Sequence, residues 1–130
     1  HGGAALFFDY GHLEPGLGDT LQAVRDHDHC NVLETPGEAD LTSHVDFSAL
    51  ADAARAHGLA PHTMTQGAFL RAMGIAERAG RLGAAGDATL RDGLAGQVER
   101  LAGADQMGEL FKVLALLPPH LDVYPFPEAD

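Results

Sequence analysis

Asp9, Tyr10, Gly11 and His12 follow directly on the apolar run Ala4-Ala5-Leu6-Phe7-Phe8. Ligands of open α/β sheets bind outside the carboxyl ends of the strands. A parallel strand over 4–8 would therefore place these positions at a cleft. Asp9 could accept a hydrogen bond from a hydroxyl, an amine or a guanidinium, and Tyr10 could stack or donate. The alternative is local: Asp9 caps backbone N–H groups and Tyr10 packs on a neighbouring helix.

Thr42, His44 and Asp46 share one side of an alternating segment, Leu41 to Phe47, with Leu41, Ser43, Val45 and Phe47 on the other. They could form a polar pocket wall in which His44 takes or gives a proton near neutral pH. Equally, they could be a solvated strand face, with Asp46 as a helix cap.

Three other clusters read less well. His27-Asp28-His29-Cys30 has the side chains of a metal site but not the spacing, and no second ligand pair follows. Glu34, Glu38 and Asp40 form an acidic loop that could hold a cation or simply be solvated. Gly80, Gly83 and Gly86 imitate a phosphate loop, but they follow a helical pattern rather than a strand.

These residues need elements to hold them. The unbroken apolarity of 4–8 predicts a strand covered on both faces, followed by a loop from Gly11 to Gly18. Asp19 or Thr20 is the cap of an expected short helix ending near His29, with Leu21 and Val24 on its inner face. Period two predicts an extended segment over 41–47, and Asp46 or Ser48 caps a helix Ala49–His57 stopped by Gly58. A strand is expected over Leu59 to Gln66. Helical spacing takes over at Gly67 and is interrupted at Gly74. A further helix runs from Ala88 to Leu101, and Gly103 ends it. Leu110 to Leu117, closed by Pro118-Pro119, reads as a strand. Strands alternating with helices indicate an α/β sheet. The acidic, Pro-rich stretch 120–130 is expected to fray.

Composition sets the limits. The chain has 130 residues, 45% of them apolar and 6% aromatic, with no Trp. One domain, or a piece of one, fits that length. A chain of this size buries roughly two-thirds of its unfolded surface, enough for a core. A net charge of −11 disfavours nucleic acid or an anionic membrane as partner, since both need a basic face. Cys30 is the one cysteine, which excludes an internal disulfide and fits a reducing compartment. No stretch approaches the ~20 apolar residues of a membrane span, and the N-terminus lacks the pattern of a signal peptide. A cytoplasmic, bacterial-type location is expected. The start at His1, without a methionine and at the foot of an apolar strand, predicts that residues precede it.

Five blocks occur in order: 3–12 (GAALFFDYGH), 18–25 (GDTLQAVR), 36–47 (PGEADLTSHVDF), 65–70 (TQGAFL) and 107–113 (MGELFKV). Together they resemble the C-terminal part of the MidA-type S-adenosylmethionine-dependent methyltransferases, the family of the mitochondrial protein arginine methyltransferase that assists complex I assembly. The resemblance covers 2–119. It implies residues 1–119 as the C-terminal portion of a class I, Rossmann-like methyltransferase sheet, with flanking helices and a terminal antiparallel strand, and 120–130 as a tail. It implies S-adenosylmethionine as cofactor, with its Gly-rich loop and ribose-binding acid in an N-terminal half outside this chain, so that no residue here is assigned to the cofactor. By the same resemblance Asp9, Tyr10 and Gly11 would line the cleft near the substrate, with the 38–47 block beside them. Asp9, Tyr10, His44 and Asp46 are the catalytic candidates, and Asp9, Gly11, Glu38 and Asp46 the substrate-binding ones. Carboxylates would orient the guanidinium of a protein arginine.

A sheet starting at a late strand would expose an apolar edge and a bare face. The isolated chain is expected to be inactive and to associate with itself or with its missing half. Two readings compete with the methyltransferase: a non-enzymatic α/β module that binds a partner subunit, and a small metal-binding protein using His27, His29 and Cys30.

Overall fold

The computed structural model describes residues 3–34, 36–121 and 123–126. Its main sheet has four strands in the order β5-β1-β7-β6. β1 is Ala5–His12, β5 Val45–Asp46, β6 Ala60–Thr65 and β7 Phe111–Leu117. β5 runs parallel to β1, with Gly11 opposite Val45 and His12 opposite Asp46. β7 is antiparallel to both β1 and β6 and lies between them, which is the terminal antiparallel strand the resemblance implies.

The centre of the sheet explains its sequence. Val113, Leu114, Ala115 and Leu117 of β7 are buried, since this strand has a neighbour on each side. Alternation sends Leu114 and Leu116 to the face where Phe7 meets helix α1 (Phe47–Ala56). Ala115 and Leu117 go to the opposite face, with Leu6 and with Phe69 of helix α2 (Gln66–Ala72). Pro61 stands in β6, the outer strand, where a missing N–H costs no ladder bond.

β1 differs from its expectation. It continues through Asp9-Tyr10-Gly11 to His12, and Leu6, Phe7 and Phe8 are 47%, 50% and 43% exposed rather than covered on both faces. Beyond β5, no described strand pairs with Ala5–Tyr10 on that side, so an apolar edge and parts of both faces are bare.

The expected helix between Asp19 and His29 is a hairpin. β2 (Gln22–Arg25) pairs with β3 (Asp28–Cys30) and with β4 (Asp40–Thr42) in a second, three-stranded sheet. Asp26 and His27 make the two-residue turn with φ of 52° and 71°, the left-handed pair that joins tightly twisted strands. Two apolar residues three apart were too little to define a helix face. The 41–47 segment is also divided, since β4 ends at Thr42 and β5 begins at Val45, and Leu41 is exposed rather than facing the core.

The helices follow their patterns closely. Asp46 caps α1 by accepting from the Ala49 amide at 3.0 Å, and the helix begins at Phe47 rather than Ala49. Thr65 caps α2. Gly74, at φ 79°, breaks α2 from α3 (Ile75–Gly83). α4 spans Ala88–Ala102 and is followed by a single turn, α5 (Met107–Leu110). The buried Gln66 donates to Leu101 O at 2.8 Å and Arg71 to Ala102 O at 2.5 Å, so α2 satisfies the orphan carbonyls at the end of α4. Two described residues of the C-terminal stretch contact the fold. Tyr124 donates to Ala72 O at 2.8 Å, and Phe126 lies against His62 and Phe69.

Candidate functional site

The parallel pair β1–β5 ends at His12 and Asp46, and the polar groups gather at that carboxyl end. Gly11 makes the pairing possible. A β-carbon there would lie 2.1 Å from Val45 O and 3.0 Å from the Phe47 ring, so only glycine lets β5 and the start of α1 come this close. Gly11 is therefore buried under Val45 and Phe47 rather than facing a cleft.

His12 and Asp46 face each other, with Nδ1 3.9 Å from Oδ1. His12 Nδ1 also lies 2.7 Å from the Glu14 carbonyl oxygen. A carbonyl only accepts, so Nδ1 carries a hydrogen, and in the neutral form of the ring Nε2 is the acceptor. Asp46 Oδ1 takes the Ala49 amide and, at 2.7 Å, the Ser48 hydroxyl. The Ala49 amide first, then the Ser48 hydroxyl, holds the Asp46 carboxyl below its ordinary range.

One rung back on the same face of β1, Tyr10 meets the His44 ring edge to face at 5.7 Å, and Phe111 in the same way at 5.7 Å. The Thr20 hydroxyl accepts from the His44 amide at 3.2 Å, and the Gln22 side-chain amide donates to His44 Nε2 at 3.3 Å. The ring nitrogen of His44 best placed to accept is therefore occupied.

The other expected residues stand apart. Alternation turns Asp9 to the face of Phe7, away from Tyr10, and its carboxylate accepts from the Tyr10 amide. Glu38 pairs with Arg25 at 3.5 Å beside the small sheet. His29 and Cys30, adjacent in β3, point to opposite faces, and no group of three His, Cys, Asp or Glu among the described residues is placed to hold a metal ion. Sequence reading noticed His12 at the strand end but gave it no role. Thr20 and Gln22 were hidden because their segment was read as a helix. Among the described residues no helix is long and apolar enough to cross a membrane.

Residues 1–65 match the model of a family described as putative S-adenosyl-L-methionine-dependent methyltransferase. The chain belongs to this family. It is 42% identical over 118 residues to the mitochondrial protein arginine methyltransferase NDUFAF7 of Rattus norvegicus, covering 90% of this chain and 27% of that protein. The Danio rerio protein of the same name is 39% identical over 116 residues, covering 89% of this chain and again 27% of the relative. The chain thus spans about a quarter of the length of these methyltransferases. Among solved structures, a COG1565 superfamily protein from Burkholderia thailandensis superposes with a TM-score of 0.80 at 31% identity, over 89% of this chain and 33% of that one. A second COG1565 member from the same organism, bound to S-adenosyl-homocysteine, gives 0.77 at 31% identity, over 88% and 31%. The α/β sheet with flanking helices is the corresponding portion of the methyltransferase fold.

The family's cofactor can be tested against the residues present. No described strand leads through a glycine-rich loop into a helix. Gly83 and Gly86 close the α3–α4 turn, where a β-carbon would meet Arg91 at 3.0 Å and Leu90 at 2.4 Å. These glycines serve helix packing.

Proposed function

We propose that this chain is the acceptor-side part of an S-adenosylmethionine-dependent methyltransferase that modifies protein arginine. The cluster at the carboxyl ends of β1 and β5 carries the reading, because it gathers a carboxylate, two imidazoles and an aromatic face where α/β sheets take ligands. The names of the relatives supply the substrate class. Asp46 and Tyr10 receive the acceptor side chain, and His44 fixes the Tyr10 ring. Asp9 and Glu38, with the other carboxylates of an acidic chain, attract a cationic protein segment from the margins. Gly11 keeps the two strands in register. The principal cofactor contacts come from outside this chain, so the chain alone is inactive. The bare edge of β1 is covered either by that additional part of the protein or by a second copy.

Two measurements test this. Calorimetric titration of the chain with S-adenosylmethionine should show no micromolar binding, and such binding would refute an external cofactor site. The encoded full-length protein, given isotopically labelled S-adenosylmethionine and arginine-containing proteins, should yield labelled methylarginine. Label appearing only on other residue types would overturn the arginine assignment.

A further inference from the structure

We infer that His12 and Asp46 form a two-acceptor subsite for a planar guanidinium, walled on one side by Tyr10. The inference rests on the arginine reading above and names the residues that recognise it.

Both side chains are reached by solvent, 31% and 42% exposed. His12 Nδ1 donates to the Glu14 carbonyl, so in the neutral form of the ring Nε2 is a lone pair without a donor among the described residues. Asp46 directs Oδ1 inward to the Ala49 amide and Ser48 hydroxyl, which leaves Oδ2 without a donor among the described residues. Asp46 Oδ2 and, in the neutral ring, His12 Nε2 are thus the acceptors left open at adjacent strand ends in register. Tyr10 precedes His12 by two residues on the same face, and His44 and Phe111 hold its ring edge-on. An aromatic face attracts a cation, and a carboxylate at the end of the neighbouring strand does so as well. A guanidinium offers several N–H groups in a rigid fork and stacks on aromatic faces, whereas an ammonium is a compact, strongly hydrated point charge.

The competing residues fit less well. His44 Nε2 is occupied by Gln22, Glu38 is paired with Arg25, and Asp9 lies on the opposite face.

The test is an NMR titration of the isotopically labelled chain with N-acetyl-arginine amide and, separately, with N-acetyl-lysine amide. Saturable shifts of His12 Nε2 are expected, with the arginine probe binding more tightly. His12→Asn keeps a donor for Glu14 but removes the Nε2 acceptor, and Asp46→Asn keeps a helix cap but removes the charge. Each should weaken arginine binding about tenfold, the scale of a lost hydrogen bond to a charged group. Equal affinity for the two probes, or wild-type affinity in both variants, would overturn the inference. In the encoded full-length protein the same variants should raise KM for an arginine peptide more than they lower kcat. Specific arginine binding without any methyl transfer would remove the methyltransferase reading and leave the subsite. Methyl transfer to arginine with KM unchanged in both variants would remove the subsite and leave the reading.

Discussion

Gly11 and Val45 stand opposite each other so closely that a β-carbon on Gly11 would lie 2.1 Å from the Val45 carbonyl oxygen. That contact sets the register of His12 with Asp46. Gly11→Ala must push β5 away from β1, and should cost about 1–3 kcal/mol in urea denaturation. It should also abolish binding of the arginine probe, because the two acceptors separate. A variant that keeps both stability and probe affinity would show that the strands yield at no cost.

Asp46 gives the chain an acid-sensitive helix start. Its carboxyl is held below the ordinary value of 3.8, first by the Ala49 amide and then by the Ser48 hydroxyl. On acidification the unfolded chain binds the proton before the native one does. The stabilisation is therefore complete above the unfolded value and disappears as pH falls through the lower native one. The urea midpoint of the wild type should exceed that of Asp46→Asn at pH 6, and the gap should narrow below about pH 4. A gap that is the same at pH 6 and pH 3 contradicts this account.

Gln66 holds the end of α4 to the start of α2. Its side-chain amide donates to Leu101 O at 2.8 Å in a buried position. Gln66→Leu leaves that carbonyl without its partner and should destabilise by about 1–3 kcal/mol. Hydrogen exchange should show the loss as faster opening of the last turn of α4.

Much of this fold was legible from periodicity. The strand over 110–117 and the helices over 67–101 appear almost where spacing puts them; β7 is buried along most of its length, and the apolar stripe of α4 (Leu94, Val98, Leu101) is half-buried with Leu90 left exposed. The hairpin was not legible. Its turn uses Asp26 and His27 where Asn-Gly would have announced it, and its short strands carry little apolar signal. For the site, Tyr10, His44 and Asp46 were visible as chemistry at strand ends. Their division into rungs was not visible, since it depends on the pairing of β1 with β5, two strands separated by the small sheet. The withdrawal of Gly11 from solvent and the role of His12 both follow from that pairing.

The apolar edge of β1 should make the chain self-associate. Leu6, Phe7 and Phe8 are about half exposed, and the first charge along the strand is Asp9. Sedimentation velocity should show a coefficient that rises with concentration for the wild type. Phe7→Lys places a charge on the edge and should hold the chain as a monomer. A wild type that sediments as a monomer at every concentration would refute the exposed edge as an adhesive surface.

Pro61 gives this adhesion a limit. The main sheet can accept a new strand along β1, but its opposite border is β6, where proline interrupts the row of amide donors. A template with one receptive side cannot propagate. Two copies pairing edge to edge along β1 would use up the receptive border of each main sheet and close on a twofold axis.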